Sequence, residues 1–260
     1  MKNKKLFLLD MDGTLYLGDK LFTDTPKFLD KIINSGGKYL FLTNNSSKST
    51  DKYVQKLATL GIATSENDFL SSTDATIVYI KNHYYNLKFY CMGTDSFKKQ
   101  LLQSGIDITD KVEQGIGGVI ISNDTELSFK KLDDVCKILT MDEVVYIATN
   151  PDWTCPTEYG YVPDCGSFAQ ILYKATGKMP YFIGKPRPDM VNLAIEKFGY
   201  TKGETVMIGD RIYTDVAAGV NAGIDSVLVL SGESTLSDVK NSEIKPTYIF
   251  DSISDIIDLI

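Results

Sequence analysis

The sequence predicts an α/β protein, a doubly wound parallel-sheet core with a second α/β domain inserted into it. Three observations carry this. Short apolar runs alternate with helix-period segments along the chain, which is the rhythm of βα units. Four of these runs end in polar or charged residues, and open α/β sheets bind ligands at the carboxyl ends of their strands. The stretch between the second and third of the four is long enough to fold around a core of its own.

Taken in order, the first run is Leu6-Phe7-Leu8-Leu9, short and apolar enough for a strand buried on both faces, expected over 5–9. It ends at Asp10-Met11-Asp12-Gly13-Thr14. Side chains two apart on a strand share a face, whereas a loop punctuated by Gly13 can aim one carboxylate at a substrate and lift the other above it. The plainer alternative is an Asx-type turn. A helix is expected over 26–34, then a strand over 38–42 that runs into Thr43-Asn44-Asn45-Ser46. These hydroxyls and amides could grip an anion, or could simply cap the helix expected over 48–60.

The middle of the chain, 73–177, keeps its own rhythm, with strands expected over 87–92, 118–121 and 144–148. Its helices are expected over 74–82, 95–103, 128–139 and 167–175. Beyond it, a strand over 181–183 ends in Gly184-Lys185-Pro186 and a helix follows over 189–198. The fourth run, a strand over 204–208, ends in Gly209-Asp210, with Asp215 just beyond. A helix over 214–222, strands over 226–230 and 247–250, and a terminal helix complete the chain. The core is therefore expected from 1–72 and 178–260, and the inserted domain from 73–177.

At 260 residues, 43% hydrophobic and 23% charged, the composition is that of an ordinary globular protein. A formal charge of −7 argues against a nucleic-acid partner, which would need a basic stripe. The four cysteines, Cys91, Cys136, Cys155 and Cys165, have no short paired spacing and read as free, mostly core-filling thiols of a cytoplasmic protein. The basic start, Met1-Lys2-Asn3-Lys4-Lys5, precedes an apolar run of four residues, far short of a signal peptide's core. No segment approaches the length of a membrane span, so no membrane partner is expected.

Two acids, a Thr/Asn pair, a lysine and an acid, in this order at strand ends, resemble the haloacid dehalogenase (HAD) superfamily, with its DxDGT, Thr, Lys and GDxxxxD motifs. The resemblance implies a Rossmann-like core and a phosphatase. The residues support the same chemistry. Asp10 is the expected nucleophile, forming an aspartyl-phosphate, and also a metal ligand with Asp210. Asp12 is the expected general acid for the leaving alcohol and then the base for water. By resemblance, its main-chain carbonyl also reaches the metal. Mg²⁺ is the expected cofactor, because it takes oxygen ligands from one or two carboxylates and a phosphate. Thr43, Asn44 and Asn45 are expected to bind the phosphoryl group, and Lys185 to stand as a fixed charge beside Asp10. Asp215 would hold either Lys185 or a metal-bound water.

The position of the insertion, between the Thr and Lys motifs, resembles that of type II caps. Further stretches resemble the NagD-like, p-nitrophenyl-phosphatase group with a type IIA cap. They are Ala148-Thr149-Asn150-Pro151-Asp152, Cys155-Pro156-Thr157-Glu158, Gly166-Ser167-Phe168, Ile183-Gly184-Lys185-Pro186, Gly209-Asp210-Arg211 and Asp215-Val216-Ala217-Ala218-Gly219 with Asn221-Ala222-Gly223. One departure is Ser122-Asn123-Asp124, where the group usually carries Gly-Phe-Asp, so Asn123 and Asp124 are candidate specificity residues. Caps of this group often pair, which implies a homodimer through the insertion.

Competing phosphatase chemistries lack their residues. The single histidine, His83, expected on a polar surface helix, leaves no second histidine for a zinc pair or phosphohistidine site. No cysteine has an arginine six positions on, and neither GxSxG nor GxxxxGK[ST] occurs. A phosphomutase would carry a helical cap after the first motif, and about thirty residues between Asp12 and Thr43 leave no room for one. Asp12 argues against a dehalogenase, and the pair Asp10 and Asp12 against a phosphate sensor without turnover. The expected reaction is hydrolysis of a small phosphomonoester, with sugar phosphates, nucleoside monophosphates, pyridoxal phosphate and phosphoglycolate all compatible.

Overall fold

Leu6–Leu9 is the centre of a six-stranded sheet ordered Tyr248–Phe250, Asp225–Val229, Thr205–Gly209, Leu6–Leu9, Lys38–Thr43, Phe69–Ser71. It pairs in parallel with Thr205–Gly209 on one side and Lys38–Thr43 on the other. All four of its side chains are buried, because helices cover both faces of a doubly wound sheet. The strand order reverses at Leu6–Leu9, so the crevice of the topological switch point opens at its carboxyl end. Register finishes the placement. Leu9 lies opposite Ile208 and Phe41, and the Asp10 amide donates to the Ile208 carbonyl at 2.9 Å. The three motif-bearing strands therefore end at one level.

The computed structural model describes residues 1, 3–157 and 159–260. Their contacts divide into two units, the first made of 1–43, 50–70 and 185–260, the second of 44–49 and 71–184. In the first, the Thr25–Asn34 helix has Pro26 in its opening turn and lays Phe28, Leu29 and Ile32 on a core built with Phe7, Leu9, Phe41, Val206 and Ile208. Each such side chain contributes about 1.5–3 kcal/mol on burial.

The second unit has its own five-stranded sheet, ordered Tyr181–Phe182, Val145–Ala148, Ile116–Ile121, Lys88–Met92, Ile108–Thr109, every pairing parallel. Helices Phe129–Leu139 and Cys165–Thr176 bury Val135, Ile138, Phe168 and Leu172 against Tyr90, Val119 and Ile121. The unit thus has the separate core that its length permits.

Several expectations are corrected. The strand expected over 181–183 belongs to the second sheet, where Tyr181 and Phe182 lie opposite Ile147 and Ala148, so contacts divide the chain after Gly184 and not after residue 177. The earlier division falls after Leu70 rather than residue 72, and segment 44–49 joins the second unit. Two hairpins were not anticipated. Tyr16–Leu17 with Lys20–Leu21 is too short to show a period, and Thr154–Thr157 with Gly160–Pro163 carries prolines that argue against a strand. Glu158, quoted above for its resemblance, lies outside the described residues, as does Lys2.

Cys91 and Cys165 are buried, and Cys136 and Cys155 partly so. His83 is exposed at the end of the Ser72–His83 helix, its ring 4.5 Å from that of Tyr79. Among the described residues, no helix is long and apolar enough to cross a membrane.

Candidate active site

Lys185 is the hub of the site. Its side chain is 3% exposed and its Nζ donates to Asp10 Oδ1 at 2.7 Å, to Asp215 Oδ1 at 2.6 Å and to the Leu42 carbonyl at 3.1 Å. Burial alone would lower the ammonium's pKa, but Asp10 and Asp215 outweigh it and hold the pKa above the ordinary lysine value. The lysine is thus a permanent charge with its stem locked.

Asp215 reaches this hub through a local irregularity. Residues Ile212–Val216 form a π-turn in which the Arg211 carbonyl accepts from both Asp215 N, at 3.1 Å, and Val216 N, at 3.2 Å. The α-helix Ala217–Ala222 follows. Asp215 Oδ2 accepts from Arg211 N at 3.2 Å and Thr214 Oγ1 at 3.3 Å. Of the two roles open to Asp215 from sequence, its bonds match the one of holding Lys185.

Asp210 stands beside them and is 2% exposed. Its Oδ2 accepts from Glu233 N at 2.7 Å, while its Oδ1 is buried with no hydrogen-bond partner among the described residues. Oxygens of Asp10, Asp210 and Asp215 lie within 4.8 Å of one another. Burial first, then the neighbouring carboxylates, pushes Asp210 up to about 8. Burial and Asp215 likewise push Asp10 up to about 6, against the pull of Lys185. A buried orphan oxygen among crowded carboxylates is the donor set of a hard divalent cation.

Glycines make this crowding sterically feasible. Gly13 has φ +83°, and a Cβ there would come within 2.5 Å of Asp210 Oδ2. A Cβ on Gly232 would overlap the same carboxylate. Gly232→Ala is accordingly expected to destabilise the protein by about 1–3 kcal/mol, as overpacking does. Equilibrium unfolding measures it, and a midpoint equal to the parent's would mean that the 231–234 loop yields instead.

Asp12 follows Met11 in the same loop, is half-buried, and bridges to Tyr16, while Gly13 N donates to the Tyr16 carbonyl at 2.7 Å. The unanticipated first hairpin thus holds the Asp12 loop. Thr43 is buried at the end of the Lys38–Thr43 strand. Asp10, Asp12, Thr43, Lys185, Asp210 and Asp215 all belong to the first unit.

The other candidates belong to the second. Asn44 Nδ2 donates to Asp152 Oδ2 at 2.9 Å, and Asn45 Oδ1 accepts from Ser47 N at 2.9 Å. Asn123 is 3% exposed, and its amide donates to Ser46 Oγ at 3.0 Å. The Asp124 carboxylate is fully enclosed and paired with Lys131 at 2.7 Å. Asn123 and Asp124 thus take part in the packing of their own unit.

Sequence reasoning missed Glu233. Its carboxylate takes Arg211 Nε at 2.9 Å and Tyr213 Oη at 2.5 Å, while its amide holds Asp210. The signal was present: Ser231-Gly232-Glu233 follows another core strand, Asp225–Val229, at its carboxyl end.

Two family models match the chain, a haloacid dehalogenase-like hydrolase over residues 7–107 and a HAD-hydrolase-like family over residues 182–256. An acid sugar phosphatase of Staphylococcus aureus is 33% identical over 257 residues, spanning 99% of this chain and 98% of that protein. The crystal structure of a 4-nitrophenylphosphatase from Thermotoga maritima overlays with a TM-score of 0.93 at 35% identity, covering 99% of this chain and 97% of that one. A glycerol phosphate phosphatase from Mycobacterium tuberculosis, solved in complex with magnesium, overlays with a TM-score of 0.89 at 25% identity, covering 97% of this chain and 77% of that one.

Proposed function

This chain belongs to the haloacid dehalogenase-like hydrolases, in their NagD-like phosphatase group, and from that premise we propose that it hydrolyses small phosphomonoesters through a covalent aspartyl-phosphate on Asp10 with Mg²⁺ as cofactor. The observation that carries the reading is the buried Lys185 fixed between Asp10 and Asp215 at the switch point, beside an Asp210 oxygen with no hydrogen-bond partner among the described residues.

The residues divide the work as follows. Asp10 Oδ2, the oxygen not bonded to Lys185 Nζ, attacks phosphorus, and the bond to the alkoxide leaving group breaks. Asp12 gives that alkoxide its proton, then takes one from the water that cleaves the acyl phosphate. Lys185 neutralises a phosphoryl oxygen throughout, and Thr43 with Asn44 and Asn45 supplies hydrogen bonds to the others. Asp215 keeps the lysine in place. Asp10, Asp210 and the Asp12 carbonyl would hold Mg²⁺, which when bound offsets the repulsion between carboxylates and phosphate.

The support for a sugar or polyol phosphate as substrate is the named activity of the relatives. Within the family reading, the second unit selects the leaving group, with Asn123 and Asp124 acting by fixing the 122–124 loop. Pairing of two copies through this unit, and a cytoplasmic location in keeping with four cysteines at no short paired spacing, complete the proposal.

Metal removal tests it. Excess chelator should reduce turnover of 4-nitrophenyl phosphate to background, and Mg²⁺ should restore it. Ca²⁺ should restore it poorly, because its longer and looser coordination misplaces the attacking oxygen. Full activity in chelator would refute the cofactor assignment. A panel of sugar, polyol and nucleoside phosphates then reads the substrate class.

A further inference from the structure

The chain first leaves the first unit between Thr43 and Asn44, re-enters it over 50–70, and returns to it for the last time between Gly184 and Lys185. Two residues assigned to the phosphoryl grip, Thr43 and Lys185, thus stand on the first-unit side of the first and the last of these crossings. The second-unit residues at these two crossings bond to the 149–152 loop, which the phosphatase reading leaves without a task.

Four bonds define the tie. Asp152 Oδ2 accepts from Asn44 Nδ2 at 2.9 Å and from Asn150 Nδ2 at 3.2 Å. Thr149 Oγ1 shares a hydrogen bond with Ser46 Oγ at 2.8 Å, fixing the same outgoing segment a second time. On the returning side, Gly184 N donates to the Thr149 carbonyl at 2.8 Å. The two crossings also touch each other, since a Cβ on Gly184 would come within 2.5 Å of Asn44 Oδ1 and 2.7 Å of the Thr149 carbonyl. Asn44, Ser46, Thr149, Asn150 and Asp152 are all at least nine-tenths buried. Apolar packing would fill such a space more cheaply, and a buried polar network instead specifies one geometry.

We propose that Asp152 and Thr149 are positioning residues for phosphoryl transfer, holding the two crossings in the register that places Thr43 and Lys185 around the phosphate. The inference rests on the phosphatase reading. It differs from a leaving-group contact in what it affects. A tie that places the phosphate-binding residues acts on every substrate alike, whereas a contact with the alcohol portion acts on some and not others.

The experiment compares the parent with Asp152→Ala, Asp152→Asn and Thr149→Val in the full chain. The readouts are kcat and KM on 4-nitrophenyl phosphate and several alkyl phosphates, and the inhibition constant of inorganic phosphate. Misplacement of a reacting group by about 1 Å costs on the order of 10²-fold, so Asp152→Ala should lose about 10- to 100-fold in kcat by a similar factor on every ester. The inhibition constant of inorganic phosphate should rise about tenfold, because phosphate has only the grip to bind. Asp152→Asn should recover most of both, since its amide oxygen still accepts the two bonds. Thr149→Val, nearly the same shape, should show the same uniform pattern at about 3- to 10-fold.

Losses confined to some esters, with the phosphate constant unchanged, would overturn the inference in favour of a leaving-group contact. Parent-like values in both Asp152→Ala and Thr149→Val would overturn it outright. If Asp152→Ala does not fold, Thr149→Val decides by the same criteria. A parent protein without turnover would remove the phosphatase reading and this inference together, whereas an active parent with unaffected variants would remove this inference alone.

Discussion

Asp10→Asn is expected to abolish turnover while leaving the fold intact, with a loss in kcat of about 10⁴-fold or more. The amide has no lone pair basic enough to attack phosphorus, so the covalent route closes. The fold should persist because Lys185 keeps Asp215 at 2.6 Å and the Leu42 carbonyl at 3.1 Å, and so remains a paired buried cation. Removing one charge from the carboxylate cluster also relieves the repulsion that raises Asp210. The unfolding midpoint should therefore stay level or rise while activity vanishes. A folded Asp10→Asn enzyme with near-parental kcat would refute the nucleophile assignment.

Asp12→Asn should produce a different kinetic picture. Without an acid the leaving alkoxide must depart unprotonated, so alkyl phosphates should lose about 10²- to 10⁴-fold, the range of general acid–base catalysis. Aryl phosphates, whose leaving groups need little protonation, should lose much less in the first step. The second step lacks its base for either ester, so the aspartyl-phosphate should accumulate on Asp10. Rapid-quench mass spectrometry detects that adduct. Equal losses on both ester types with no trapped adduct would end the division of labour between the two aspartates.

These residues were legible in the sequence because of where they stand. A strand buried on both faces reads as an apolar run, and the residue that ends the run is where chemistry can reach solvent. Asp10, Thr43, Lys185 and Asp210 each follow such a run. The Asp189–Phe198 and Asp95–Gln103 helices match their expected bounds because each has clear start signals: Pro188 precedes one, and Thr94 caps the other by accepting from Phe97 N.

Partner choice was not legible. Tyr181–Phe182 reads as a strand from its residues, but no period says which sheet receives it. Segment 44–49 shows its allegiance through bonds to residues distant in sequence, such as Asn44 to Asp152, Ser46 to Thr149 and Ser46 to Asn123. Glu233 escaped notice because its contribution to Asp210 is a backbone amide, which every residue type but proline supplies.

The π-turn at Ile212–Val216 bears on how this chain can change over generations. An ordinary α-helix advances 100° per residue, and the turn holds one residue more than that frame allows. The added residue sets the phase of what precedes it, so Asp215 faces the lysine while Ala217–Ala222 packs on its own terms. Loss of one residue here would satisfy every backbone hydrogen bond of a regular helix and leave the sheet untouched. It would also swing the carboxylate about a quarter of a circle from Lys185. The site thus depends on a reading frame within a single turn, one in which substitutions can drift but a one-residue gap cannot be absorbed.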